Sequence, residues 1–335
     1  MIIFSTPTAI AMVVLCAFMW GSWIQTIKRL NGYPLSAYML WVYTFSLVLV
    51  WGALLLLKNQ WITSPIGQQI RQNPFKCAIA FVCGGMASMG MQNKMWVIKK
   101  IGLILASSIS STFSILLGTF YSILLGGLPE GTNLPLMIIA TVILLGSAIV
   151  CQTSGTMRDR DKQPKGADDP KKAPEKGRGK VVALAIMNIM FLASAYPVGL
   201  SIVTKTVSNP NGVDSLLGIA IMCTGAFVGT LFYSGIQLIH HKQVSIFLHP
   251  PKRILGMAAI SSVGHYGGNV VNAVVSPSLS VAISWPMSNS FSMWSYGWGL
   301  VYREYRGARK RTYIVLFSGI LLSVIGLILF SIAIH

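Results

Sequence analysis

Residues 154–180 read SGTMRDRDKQPKGADDPKKAPEKGRGK, and this stretch divides the chain. It holds nine of the 26 Lys and Arg residues and five of the eight acids, interrupted by Pro and Gly. A segment so polar has too little apolar surface to bury, so it reads as a charged linker. On both sides the character inverts. A helix needs roughly 20 apolar residues to cross a bilayer. Runs of that kind fall at 9–27, 36–57, 75–97, 101–126 and 134–153 before the linker. After it they fall at 181–204, 214–239, 254–275, 277–301 and 312–334. The reading is an all-α polytopic membrane protein of ten transmembrane helices, with a first repeat at 1–153, the linker at 154–180 and a second repeat at 181–335.

The cations are sorted by connection. Numbered from the N-terminus, the odd connections carry Lys28, Arg29, Lys99, Lys100, the nine of the linker, Lys242, Lys252, Arg253, Arg303, Arg306, Arg309, Lys310 and Arg311, which is 21 of the 26. The even-numbered ones carry only Lys58, Arg71, Lys76 and Lys205. Cytosolic loops are the ones enriched in Lys and Arg, so the linker is expected in the cytosol of a cell membrane and both termini outside. No basic segment precedes the first run, whose first cation is Lys28, so that run reads as a span rather than a cleaved leader.

Composition removes other classes. With 53% hydrophobic and 10% charged residues, little polar mass is left for soluble domains. The net charge of +18 does not point to nucleic acid, because the cations sit between apolar runs beside an anionic leaflet. The five cysteines are scattered through or beside apolar runs without metal-ligand spacing. No metalloprotease, phosphate-loop or dinucleotide motif is present, and no cofactor or enzymatic activity is expected.

Five spans on each side of a linker require the halves to lie inverted across the membrane. The sequence carries traces of such a repeat. Phe18-Met19-Trp20-Gly21-Ser22-Trp23 parallels Phe191-Leu192-Ala193-Ser194-Ala195-Tyr196. Asn93 with Leu105-Ala106-Ser107 parallels Asn269 with Val281-Ala282-Ile283 at one offset. Inverted repeats belong to transporters because swapping the conformations of the two halves generates alternating access.

Two patches go further. Ile283-Ser284-Trp285 with Phe291, then Gly299-Leu300-Val301-Tyr302-Arg303-Glu304-Tyr305, resembles the ninth span and following loop of the L-rhamnose/proton symporter family. Gly90, Asn93 and Gly102 ahead of a Ser- and Gly-rich helix are similar to its third and fourth spans. In layout the whole chain resembles the drug/metabolite transporter superfamily. Pro286 and the charged linker depart from the pattern. The resemblance implies a five-plus-five inverted repeat, a sugar as cargo and proton symport.

The candidate site residues are polar or aromatic groups at mid-span depth, where an unpartnered group is costly. His265, in Gly264-His265-Tyr266-Gly267-Gly268-Asn269, is the one side chain there with a reference pKa near 6.5, and so the candidate proton carrier as well as a cargo contact. The surrounding glycines admit close helix approach or a break in the helix. Gly225 and Gly229 read as packing glycines. Gln92, Asn93, Asn269 and Asn289 both donate and accept hydrogen bonds, as a neutral hydroxylated cargo requires; Asn93 and Asn269, related by the repeat, are expected to face one cavity. Trp23, Tyr196 and Trp285 offer flat rings to a sugar face or a purine-like ring. Trp20 and Trp294 are further mid-span rings, while Trp41, Trp51, Trp61 and Trp298 read as anchors. Lys94 is expected to snorkel toward Lys99, and Pro197 and Pro286 to bend their spans. The expected function is a secondary active permease for a small polar metabolite, with protons as a second partner, the bilayer as solvent, and a monomer or homodimer as the unit. A facilitator or exporter of a nucleoside, ureide or amine is the alternative, ahead of a membrane-embedded enzyme or flippase.

Overall fold

The computed structural model of the chain describes residues 3–101, 103–162, 195–206 and 209–334, with no side chains described over 94–113. Apart from an isolated bridge between Thr204 and Val213, the regular structure among the described residues is helical. In chain order the helices are α1 (Thr6–Trp23), continued by a 3-10 turn (Ile24–Arg29), α2 (Leu35–Trp61), α3 (Ile66–Gln72), α4 (Pro74–Ile101), α5 (Leu103–Gly126) and α6 (Leu134–Asp161). Then come α7, described over 195–203, α8 (Ser215–His240), α9 (Val244–Leu248), α10 (Lys252–Ser262), a π-turn (Val263–Gly267), α11 (Gly268–Leu279), α12 (Val281–Ser288), α13 (Phe291–Val301) and α14 (Lys310–Ala333).

Six of the described segments are long and apolar enough to cross a membrane: Thr6–Arg29, Leu35–Trp61, Pro74–Asn93, Leu134–Asp161, Ser215–His240 and Lys310–Ala333. Their outward faces carry bare apolar side chains such as Leu56, Phe232 and Ile236, an arrangement that suits lipid and not water. Six is fewer than the ten runs of the sequence. Part of the difference has a physical cause. The run at 254–275 is split by the π-turn, and the run at 277–301 is cut between Ser288 and Phe291, so each yields two shorter helices. Residues 163–194, which include most of the linker and the start of the sixth run, lie outside the described residues, as do the side chains of Lys94, Lys99 and Lys100.

One boundary is corrected. α6 does not end at 153 but continues through Asp161, two turns into the segment read as linker. Those turns are held by side chains: Arg158 pairs with Glu304, and Asp161 accepts from Thr312 Oγ1 at 2.6 Å and from the Arg309 backbone N–H.

Small residues decide which helices meet. On α8, a Cβ at Gly225 would run into the Phe81 carbonyl, and one at Gly229 would lie 2.8 Å from the Gly85 carbonyl, so α4 and α8 meet backbone to backbone. That is the packing role expected for these glycines. α14 lies along α6 the same way, with Gly319 against Cys151, Gly326 against Leu144 and a Ser323–Ser147 hydrogen bond of 2.9 Å. α2 lies beside α8, where Trp51 donates to Thr224. α1 packs against the π-turn, α11, α12 and α13, and α5 against α12. Two large apolar clusters result, beside a small third one of Ala37, Leu40 and Leu238 between α2 and α8. One spans α2, α4, α7 and α8; the other joins the start of α1 to α6, α11, α12 and α14.

Candidate functional site

Where these elements converge they leave a cavity of about 120 Å³ in the middle of the bundle. Its walls are Trp20, Trp23 and Ile24 from the first span, Tyr43 from α2, Ala87, Ser88 and Met91 from α4, and Ser114 from α5. Tyr196 comes from α7, His265 and Tyr266 from the π-turn, Asn269 from α11, Trp285 from α12, and Asn289 and Phe291 from the break that follows. Among the described residues, the ionisable side chains on this wall are one imidazole and three phenols, with no Asp, Glu, Lys or Arg.

The π-turn sets His265. A π-turn adds a residue to the helical turn and so re-aims side chains, which is why such turns recur at functional sites. Gly264 and Gly268 let α1 press against it: a Cβ at Gly264 would meet Trp23 Cβ at 2.7 Å, and one at Gly268 would meet the Trp20 indole at 2.7 Å. Trp20 donates its indole N–H to the His265 carbonyl at 3.2 Å. Trp23 stacks on the imidazole at 4.6 Å between centroids, and Tyr43 meets its edge-on side at 5.6 Å. The ring is therefore fixed from two spans, yet its Nδ1 has no hydrogen-bond partner among the described residues.

A second aromatic group closes the opposite wall. Tyr196 and Trp285 stack at 5.2 Å, and Trp20 meets both edge to face. Trp285 donates to the Ser114 carbonyl at 2.9 Å. Its ring lies against Gly118 so closely that any Cβ there would overlap the indole nitrogen. Asn289 is internally held, its amide N–H donating to the Trp285 carbonyl at 2.8 Å. Asn269 is buried on the cavity wall, and its side-chain amide has no partner among the described residues. The site therefore offers uncommitted polar side-chain groups, His265 Nδ1 and the Asn269 amide among them, framed by flat aromatic rings.

Of the eight residues expected from sequence, Trp23, Tyr196, His265, Asn269, Trp285 and Asn289 come together on this wall. Gln92 and Asn93 do not. Gln92 Oε1 accepts from Ser234 at 2.6 Å and Asn93 Oδ1 from the Tyr233 hydroxyl at 2.6 Å, which ties both side chains to the α4–α8 contact, with Gln92 Nε2 buried there without a partner among the described residues. Asn93 and Asn269 were expected from sequence to face one cavity, but of the two only Asn269 stands on its wall. Trp294 is also displaced from it, edge-on to Phe18 at 5.3 Å. Trp41, Trp51 and Trp298, read as anchors, each donate an indole N–H to a neighbouring element: to the Phe247 carbonyl, to Thr224 and to Ser22.

Tyr43, Tyr266, Ser114 and Phe291 were not expected at the site. Tyr266 was signalled by its place beside His265. A lone Tyr or Ser in an apolar run carries no comparable signal. Among the described residues no three His, Cys, Asp or Glu side chains converge as metal ligands would. Comparison with protein-family models and with curated proteins finds no match to the chain.

Proposed function

We propose that this chain is a secondary transporter, a permease that moves a small, uncharged polar metabolite across a cell membrane by alternating access. The observation that carries the reading is the central cavity, lined from both sides of the charged linker and flanked by two interrupted helices. Irregular backbone at membrane depth is tolerated where it lines a cavity, and transporters place cargo sites at such interruptions.

The reading includes ten spans in a five-plus-five inverted repeat, in the manner of the drug/metabolite transporter superfamily. The spans are α1, α2, α4, α5 and α6, then α7, α8, α10 with α11, α12 with α13, and α14. A twofold exchange of halves pairs the second span with the seventh, the fourth with the ninth and the fifth with the tenth. Contacts of α2 with α8, α5 with α12 and α6 with α14 support it. The approach of α1 to the eighth span has its counterpart in α7 against α4, where Gly199 abuts Cys83. Trp23 and Tyr196, matched by the repeat, both stand on the cavity wall. The charge distribution supports termini outside and the linker in the cytosol.

Size and chemistry narrow the cargo. A volume of ~120 Å³ holds roughly ten water-sized positions at the 10–15 Å³ that each needs. That suits a monosaccharide or a molecule of similar size. A wall without formal charge favours neutral cargo, since a buried ion without a counter-charge is costly. A sugar, implied by the resemblance, is the first class to test, followed by nucleosides, ureides and amines. Thermal-shift screening of purified protein against these classes, followed by proteoliposome uptake of the stabilising compounds, tests the proposal. Saturable uptake of one of them is expected. Failure of every class to stabilise or enter, or chemical conversion of a compound that binds, would overturn it.

A second reading, passive facilitation, draws support from the same wall, because among the described residues it carries no carboxylate to take up a coupling proton.

A further inference from the structure

The ninth span is cut at the cavity. α12 ends at Ser288, α13 begins at Phe291, and Asn289 and Ser290 lie between. The two pieces are held differently. α12 is anchored near the cut, by the Trp285 indole on the Ser114 carbonyl and by Asn272 donating to Ser288 Oγ at 2.8 Å. α13 is zipped to the first span. Ser295 donates to the Gly21 carbonyl at 3.0 Å, Trp298 to Ser22 Oγ at 2.8 Å, and Gln25 Nε2 to the Ser295 carbonyl at 3.4 Å. Gly21 permits the approach, since a Cβ there would lie 2.6 Å from the Phe291 carbonyl. The zipper ends at Glu304, just past α13. Its carboxylate takes Lys28 at 2.5 Å and Arg158 at 2.8 Å, from the ends of the first span and of α6.

Two features of this seam suit an opening contact better than a permanent one. Gln25 Oε1, Ser290 Oγ and Trp294 Nε1 are buried in it without a partner among the described residues. Buried polar groups are normally satisfied, and water would satisfy these if the seam parted. Of the two ion pairs that close it, Lys28–Glu304 is within reach of water, with side chains 48% and 26% exposed, while the Arg158 side chain is 15% exposed. A pair as exposed as the first holds weakly and exchanges readily with solvent.

We propose that α13 is a gating half-helix. It hinges at Asn289–Ser290, shuts the cavity toward the basic end of the bundle by zipping onto the first span, and is latched there by Glu304. The inference rests on the transport reading of the cavity, but its test needs no cargo. A cysteine is placed at Gln25, and its rate of reaction with a small water-soluble methanethiosulfonate is followed by mass spectrometry in the reconstituted protein. The described cysteines of the chain are all buried, which keeps the background low. Glu304→Gln, which keeps the shape and removes the charge, ends both ion pairs and is expected to raise the rate roughly tenfold, since each pair shifts a two-state population by up to about fivefold. High salt should raise the rate in the protein that retains Glu304 and change little in Glu304→Gln, because salt screens exposed pairs. Equal rates with and without Glu304, insensitive to salt, would make the seam static packing and overturn the proposal. Should Glu304→Gln fail to fold, the salt response of the protein with Glu304 intact decides alone. A seam that opens as expected in a protein that takes up no solute would leave the gate standing and overturn the transport reading instead.

Discussion

Asn269 and Asn93, paired by the repeat proposed above, have opposite commitments, which makes their substitutions informative. Asn269 faces the cavity with its amide unpartnered among the described residues, so replacing it with alanine removes no internal hydrogen bond seen there. Asn269→Ala is expected to leave thermal unfolding of the cargo-free protein nearly unchanged. It should weaken cargo binding about tenfold or more, since a lost buried hydrogen bond costs roughly 1–3 kcal/mol. Asn93→Ala should do the reverse. It strips the acceptor from the Tyr233 hydroxyl and lowers the unfolding temperature, with cargo affinity changed little. Equal effects of the two on binding titrations would put Asn93 at the site after all. A polar side chain at mid-span depth announces only that it has found some partner. Asn269 and Asn93 look alike in sequence because cargo and a neighbouring helix are equally good partners. Trp23, Tyr196 and Trp285, singled out in the sequence as large rings inside apolar runs, do stand on the cavity wall, because rings of that size have few other places to go. Gly118, which seats Trp285, is one glycine among many in the chain.

At the scale of the helix, glycine spacing foretold one contact and concealed another feature. Gly225 and Gly229 on α8 mark the face that meets α4. Gly235, on the same helix, has open space where its Cβ would be. Gly225→Ala must push the Phe81 carbonyl away and is expected to destabilise the protein by about 1–3 kcal/mol, the usual cost of overpacking. Gly235→Ala should be neutral or stabilising by up to ~1 kcal/mol, the helix propensity gained. Unfolding temperatures of the two variants in one detergent check this; equal shifts would mean that α4 and α8 are not in backbone contact. The helix interruptions were only half legible. The glycines around His265 pointed to close packing or a break, and the structure has both: a π-turn with α1 pressed on it. The cut at Asn289–Ser290 had no glycine to mark it. Pro286 was the sole hint, since proline removes one helical hydrogen bond and α12 stops two residues later.

For the whole molecule, the ladder of apolar runs and the sorting of cations were visible before any coordinate, because both follow from the bilayer acting as a solvent. Pairing of the helices was not, because it depends on which small residues face which neighbours. The same cation sorting predicts sidedness. A cysteine at Asn59 should react with an impermeant thiol reagent in intact cells, and one at Lys252 only after permeabilisation; both positions are exposed. The opposite pattern would reverse the orientation. Energy coupling is a property of the whole cycle, and the charge inventory of the cavity bears on it directly. Among the described residues His265 shares the wall with the phenols of Tyr43, Tyr196 and Tyr266, and no carboxylate stands with them. An imidazole takes up a proton far more readily than a phenol, so His265 is the candidate carrier on this wall. If it carries the coupling proton, uptake rises as external pH falls and collapses with a protonophore. His265→Asn should then abolish accumulation against a gradient while exchange of cargo continues, because an amide can still hydrogen-bond cargo but cannot take the proton. Flat uptake from acid to alkaline pH, indifferent to the protonophore, would leave His265 as a cargo contact alone. Coupling would then have no carrier in the described wall of the cavity, and the protein would equilibrate its cargo rather than concentrate it.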